Sequence, residues 1–188
     1  MDLIRRSQAG DQEAWAGLFE RYKNLVFKTA YLMLGSASEA EDALQEVFIR
    51  VYRSLSAFEP SKGSFATWLH RITVNHCLNQ RRRRRFLVVA LDEASPASLS
   101  GHYPSPEGRM GEKAAVQQAL SRLSDKQRGV VILRYYWEMS YAEIARVLDI
   151  PLGTVKSRLN LALKTLHKEL EALTENSSGP LSQRETAR

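Results

Sequence analysis

Residues 140–170 read SYAEIARVLDIPLGTVKSRLNLALKTLHKEL, and their punctuation predicts two helices joined by a tight turn. Ser140 and Glu143 are spaced as a capping box, the hydroxyl taking an unpaired amide of the first turn while the carboxylate reaches back. Ile144, Ala145 and Leu148 follow at helical spacing. Asp149, Ile150 and Pro151 then interrupt, because proline disfavours helix in the residue before it. Gly153 and Thr154 open the second helix, whose Val155, Leu159, Ala162, Leu166 and Leu170 form one apolar stripe. Ala145 is small where the two helices cross. The opposite side carries Gly153, Lys156, Ser157, Asn160 and Lys164, donors suited to phosphates and to base edges in a major groove. The pattern reads as a helix-turn-helix with a recognition helix; an ordinary helical hairpin with a solvated basic face is the plainer alternative.

The 188 residues suit one domain or two small ones, and 44% hydrophobic residues suffice for packed cores. The formal charge of +6 and pI of about 9.6 favour a polyanionic partner. The charge is uneven. Residues 1–85 hold 14 basic against 9 acidic side chains, residues 86–111 hold 1 against 3, and residues 112–173 hold 10 against 7. The one cysteine, Cys77, rules out an internal disulfide and suits a reducing cytoplasm. No apolar run approaches the roughly 18 residues that span a bilayer, and the polar start around Asp2, Arg5, Arg6, Gln8 and Asp11 is unlike a secretion signal.

Working outward, helical spacing predominates and strand-like alternation is lacking, so an all-α fold is expected, as two small helical domains joined by a flexible linker. Asp11 can cap a helix to about Leu34, with Gly35 at the left-handed terminating position. Ser38 and Glu41 suggest a capping box for a helix to about Leu55. Ser64 can cap a third helix, carrying Phe65, Trp68, Leu69 and Ile72 into the arginine block Arg81 to Arg85. These helices are expected to form a first domain over 1–85. The Ser-, Pro- and Gly-rich stretch within 86–111 reads as a tether, with FLVVAL (86–91) packing locally or anchoring on a partner. A second domain is expected over 112–173, where Ser124 and Gln127 box the start of a helix through Trp137, and 174–188 is expected to be a disordered tail.

Two surfaces lack an explanation in packing alone. In the second helix Leu44, Val47, Phe48, Val51 and Leu55 share one face, which puts Asp42, Gln45, Glu46, Ile49 and Arg53 on the other. An apolar anchor with an acidic rim suits a basic partner, although a solvated acidic face is the plainer reading. The third helix aligns Arg71, Asn75, Asn79 and Arg82 beside Phe65, Trp68 and the loop EPSKGS. Amides, guanidinium groups and nearby aromatics suit single-stranded bases; Trp68 also fits a core.

The stretches AEDALQEVFIRVYRSLSAF, GSFATWLHRITVNHCLNQRRRR and SYAEIARVLDIPLGTVKSRL, in this order and separation, together resemble the bacterial RNA polymerase sigma factors of the extracytoplasmic-function (ECF) group, over nearly residues 1–172. The resemblance implies a subunit that binds core RNA polymerase, directs it to specific promoters and helps melt the −10 region to initiate transcription. It implies that the first domain binds the polymerase clamp helices and the melted −10 element, while the second reads the duplex −35 element and contacts the flap. Asp42, Gln45 and Glu46 match polymerase-facing positions, and Ile49 lies on their side. Lys62 to Phe65, including Lys62, Ser64 and Phe65, match the loop of a pocket for a flipped −10 base, and Asn75 and Asn79 match base-reading positions alongside Arg71 and Arg82. Gly153, Thr154, Lys156, Ser157 and Arg158 match the −35 reading segment, with Asn160 and Lys164 on the same face. Leu161 and Leu163 depart from the family, which commonly carries arginine there; a helical wheel puts Leu161 on the DNA flank and Leu163 beside the apolar stripe. The resemblance also implies an anti-sigma factor, often membrane-bound, as partner to a cytoplasmic protein that is not itself a membrane protein.

The 26 residues of the tether reach at most about 90 Å, enough to bridge DNA elements roughly 35 to 70 Å apart. A conventional helix-turn-helix regulator acting without core polymerase is the alternative, and the acidic face with Ile49 weighs against it. An enzyme has little to work with. His70, His76, His102 and His167 form no HExxH pattern, Cys77 has no CxxC partner, and no phosphate-binding glycine loop occurs, so no catalytic residue, metal or cofactor is expected.

Overall fold

The structure is a computed structural model that describes residues 2–92 and 112–177, with side chains over 2–87 and 115–169. Its described residues form α1 (Asp2–Gln8), α2 (Gln12–Leu34), α3 (Ala37–Ser54), α4 (Phe65–Asp92), α5 (Glu112–Ser121), α6 (Asp125–Val131), α7 (Tyr141–Leu148) and α8 (Leu152–Ser177), and no strand among them. The fold is all-α, in two helical domains. Residues 93–111, most of the expected tether, and residues 178–188 of the expected tail lie outside the described residues. At the described edges, helix extends further than the sequence suggested. FLVVAL contains no Gly or Pro, so α4 propagates through it to Asp92, and α8 runs to Ser177.

Local chemistry sets the boundaries. Asp11 accepts from the Ala14 amide at 3.0 Å and Gly35 ends α2 with φ 84°, both as the sequence suggests. The start of α3 differs: Ser36, not Ser38, is the cap, its hydroxyl accepting from the Glu39 amide. Both serines are caps by type, but Gly35 ends α2 immediately before Ser36, which leaves Ser38 inside the new helix. The short α1 was not foreseen; Gln8 ties it down by donating to the carbonyls of Leu55 (2.9 Å) and Phe58 (3.1 Å).

The first domain buries Leu18 and Val26 of α2, Val47, Phe48 and Val51 of α3, and Phe65 and Leu69 of α4 against one another. A second core does not stay within one domain. Ala30, Met33 and Leu34 of α2, Ala40 and Ala43 of α3, and Val74 and Cys77 of α4 pack with Leu120, Val130, Leu133, Ile144, Val147, Val155, Leu159 and Ala162 of the other half. The two domains are therefore closed on each other.

Polar groups complete that contact around the C-terminus of α2, where unpaired carbonyls carry partial negative charge. The Met33 carbonyl accepts from Arg81 at 3.1 Å and from Arg128 at 2.9 Å. Arg128, only 1% exposed, also donates to the Leu120 carbonyl at 2.8 Å. Gln117 donates to the Tyr31 carbonyl at 3.1 Å. Asp125 pairs with both Arg81 and Arg85. At the far end of the contact the rings of His70 and Trp137 meet, 4.8 Å apart.

Candidate nucleic-acid interface and docking groove

α4 is amphipathic in an unusual way, with packed residues on two sides and an open ridge between. Leu69, Thr73, Val74 and Cys77 are buried, whereas Arg71, Asn75, Asn79 and Arg82 are exposed in a row. The loop ahead of α4 turns at Gly63, whose φ of 148° with ψ 179° is a conformation that essentially only glycine adopts. Ser64 then caps α4, its hydroxyl accepting from the Thr67 amide at 3.1 Å. Lys62 stays exposed and pairs with Glu59 at 2.7 Å.

Loop and helix enclose a pocket of about 360 Å³, lined by Phe58, Lys62, Gly63, Ser64, Trp68 and Arg71 and closed on one side by Arg146 and Asp149. That volume lies within the ~300–1,000 Å³ range of small-ligand sites. Phe65, expected to contact DNA, does not face the opening. It is 5% exposed, with its ring between those of Tyr22 (5.0 Å), Phe58 (5.3 Å) and Trp68 (5.5 Å). Phe65 thus supports Trp68 from within the core, and the half-buried Trp68 lines the pocket together with Phe58.

On α3, Asp42, Gln45, Glu46 and Ile49 are all exposed, Ile49 by 45%. Gln45 and Ile49 line an open groove of about 810 Å³ whose other walls are Asp11, Trp15, Phe19, Phe48 and Tyr52. Trp15 and Tyr52 were missed in the sequence. Their signal was present: Tyr52 lies three residues after Ile49 on the same exposed face, and its ring meets that of Trp15 edge-on at 5.0 Å.

The helix-turn-helix forms as its residues suggest. Ser140 and Glu143 make the reciprocal capping box, and the Ser140 bonds hold the Glu143 carboxylate below its usual pKa. Asp149 closes α7 in the left-handed region at φ 54°. The second helix begins one residue earlier than expected, at Leu152, with the Thr154 and Val155 amides bonded to the Pro151 carbonyl. Gly153, Lys156, Ser157, Asn160 and Lys164 are exposed, and Thr154 and Arg158 half-buried. A Cβ at Gly153 would meet nothing within 4 Å, so the chain's own packing does not require glycine there. Leu161 is 56% and Leu163 39% exposed, which corrects the expectation that Leu163 sits against the apolar stripe.

Neither candidate surface carries reactive chemistry. Among the described residues no cluster of His, Cys, Asp or Glu could hold a metal ion. Burial pushes the Cys77 thiol up to about 12 and drives the His70 pKa down to about 4. His76 is also lowered, by burial first and then by Arg50. His70 and Cys77 are buried and His76 is half-buried.

A closed pair of helical domains, one presenting amides and arginines beside a loop-walled pocket and the other a helix-turn-helix, has the form of a DNA-binding protein. The family model described as Sigma-70 region 2 matches residues 18–86, and that described as Sigma-70, region 4 matches residues 113–166. The chain is similar to the ECF RNA polymerase sigma factor SigW of Bacillus subtilis (strain 168), 34% identical over 181 residues that cover 90% of this chain and 96% of the relative. It is also similar to the RNA polymerase sigma-H factor of Pseudomonas aeruginosa, at 32% identity over 91% of this chain and 93% of that one. A solved structure of CnrH in complex with the cytosolic domain of CnrY matches with TM-score 0.67 and 25% identity, over 90% of this chain and 96% of CnrH. A sigma factor RpoE from Bartonella quintana, solved with the anti-sigma factor NepR, matches in fold with TM-score 0.66 at 24% identity, over 83% and 96%. The chain belongs to the ECF family of RNA polymerase sigma factors, and its function is to join core polymerase and direct it to promoters.

Proposed function

We propose that the three surfaces divide this work. The groove beside Ile49 and Gln45, together with the exposed Asp42 and Glu46 of the same helix, docks the basic clamp helices of core polymerase; an apolar anchor excludes water while the carboxylates select the partner by charge. The α4 ridge and its pocket take the melted −10 strand. Asn75 and Asn79 offer donors and acceptors to base edges, Arg71 and Arg82 meet phosphates, and the pocket receives an unstacked base. Trapping an already opening strand avoids the few kcal/mol that flipping a base from an intact duplex costs. The exposed face of α8, with Gly153, Lys156, Ser157, Asn160 and Lys164 supported by Thr154 and Arg158, reads the −35 duplex.

The observation that carries this reading is the exposed row Arg71, Asn75, Asn79 and Arg82 on a helix whose flanks are buried. Polar side chains held in line on a rigid support, beside a pocket, fit a strand-binding track. The corresponding division of the chain is 1–85 for polymerase and −10 binding, 86–111 as linker, 112–173 for −35 binding and 174–188 as tail. The protein acts as a binding subunit without a catalytic step, in the cytoplasm where polymerase works. No described helix is long and apolar enough to cross a membrane. An anti-sigma factor, membrane-bound or not, is the expected regulator, since CnrH and RpoE were solved with CnrY and NepR.

Run-off transcription with core polymerase on a genomic library, with start sites sequenced, tests the whole reading. A common pair of upstream elements at fixed spacing supports it. Transcription dependent on the chain but unaffected by Asn75→Ala together with Asn79→Ala would remove the −10 assignment.

A further inference from the structure

Resting on the assignment of α4 as the track for the melted −10 strand, we infer that Phe86 is a second base-stacking platform, closing the far end of a row that Trp68 opens beside the pocket. The register of α4 carries it. Trp68, Arg71, Asn75, Asn79, Arg82 and Phe86 follow one another at steps of three or four residues, the spacing that keeps side chains on one face of a helix. Trp68 is half-buried and the other five are exposed, Phe86 by 70%. Both ends of the polar row are therefore aromatic.

Single exposed apolar side chains are ordinary on a protein surface, so it is the position of Phe86 that matters and not its exposure. The arginine block divides along the same line. Arg81 and Arg85 pair with Asp125 and Arg84 donates to Glu39 at 2.7 Å, so these three are turned to protein. Arg82 and Arg83 are exposed, and Arg82 lies on the row one turn before Phe86. A guanidinium for the phosphate and a flat ring for the base, one turn apart, are the two parts that single-strand sites combine.

The row has the length of an opened segment. Trp68 and Phe86 are eighteen residues apart, about 27 Å along the helix axis, and a strand at about 3.4 Å per nucleotide covers that distance with about eight. When strands part, the end bases of the melted segment lose a stacking neighbour. A ring at each end of the row replaces what is lost, which holds the strand open. Every base presents a π-face, so stacking tolerates any sequence; Phe86 adds grip, and the choice of base stays with Asn75 and Asn79.

The test uses holoenzyme assembled from core polymerase and the full chain, as wild type, Phe86→Ala, Phe86→Leu and Phe86→Trp. Leu87→Ala is the control, because Leu87 is 64% exposed but lies off the row. The probe is a fluorescent single strand of about 12 nucleotides, longer than the row, carrying the −10 segment of a promoter mapped by run-off transcription, in the strand that the holoenzyme binds. Each base is replaced in turn by an abasic site. Phe86→Ala and Phe86→Leu should weaken binding about tenfold, while Phe86→Trp and Leu87→Ala should leave it near wild type. At one position near an end of the segment, the abasic site should cost wild type about tenfold and Phe86→Ala nothing further, and all four bases should serve there equally. Binding by Phe86→Leu as tight as wild type would reduce the ring to an apolar contact and overturn the inference. So would an abasic profile that is the same for wild type and Phe86→Ala, or a loss of co-elution with core polymerase shared by Phe86→Ala and Leu87→Ala, which would turn this end of α4 toward the enzyme. Asn75→Ala with Asn79→Ala separates the two readings: if that pair weakens strand binding and Phe86→Ala does not, only the platform falls, whereas if neither does, the assignment of α4 falls and takes the platform with it.

Discussion

Arg128 illustrates how much of this protein rests on single side chains whose type alone gives no warning. Its guanidinium is held by the carbonyls of Leu120 and Met33, one from each domain. Arg128→Ala should lower stability on the order of 3 kcal/mol, two charge-assisted bonds being removed, as read from urea unfolding followed by circular dichroism; a change below 1 kcal/mol would show that the contact forms without it. Glu46 is the opposite case, exposed and without a structural task. Glu46→Lys should abolish co-elution with core polymerase at micromolar concentrations and leave the melting temperature unchanged, like charge then facing a basic partner. Normal co-elution would clear this face of the role. His70 adds a pH dependence. The unfolded side chain protonates near 6.5 and the folded one only at about 4, so within that window the unfolded state binds more protons and stability falls as pH drops. The loss is complete below the folded pKa and amounts to roughly 3 kcal/mol. His70→Gln should flatten this part of the stability profile, while the contributions of carboxylates such as Asp11 and Glu143 persist; an unchanged slope would assign the effect elsewhere.

Among the elements, α7 and α8 are specified almost entirely by local chemistry. The capping box of Ser140 and Glu143 forms because both partners lie within one turn, so no tertiary contact is needed to place them. α8 shows where that logic stops. Its wheel places Leu163 next to Val155, Leu159 and Leu166, yet among the described residues the side chain remains exposed. Leu161→Arg and Leu163→Arg should therefore both leave stability within about 0.5 kcal/mol. They should differ in DNA binding. Leu161 continues the flank of Ser157 and Lys164, so its replacement should steepen the salt dependence of binding to a random-sequence duplex by roughly 0.9 in log-log slope, one added phosphate contact. A slope unchanged for Leu161→Arg would place this flank against polymerase or solvent.

For the whole molecule, the consequence of a core that crosses the domain boundary is that neither half is complete alone. Separate polypeptides 1–92 and 112–177 would each expose apolar surface: Ala30, Met33 and Val74 on one, Val130 and Leu133 on the other. Mixed together they should associate, with a negative heat-capacity change in titration calorimetry because apolar area is buried. Two fragments that ignore each other would mean that the closed arrangement depends on the connecting segment.

Helix type, most helix boundaries, the helix-turn-helix, the exposed acidic face of α3 and the amide row were legible in the sequence, because each depends on residues within a few turns of one another. Capping pairs and a 3.6-residue period act at that range. Phe65 was legible as an aromatic beside the pocket but not as a buried one, since which of Phe65 and Trp68 turns inward depends on Tyr22 and Phe58, contributed by α2 and the preceding loop. The closure of the domains was not legible at all. It joins Arg81 to Asp125, Arg71 to Asp149 and Arg128 to Met33 across 44, 78 and 95 positions of chain, and no periodicity relates residues so far apart. The sequence by itself determined α4 and α8 and the polar faces they present; only the tertiary structure decided that the carboxylates of one domain rest on the arginines of the other, because such pairing depends on which surfaces meet when apolar area is buried.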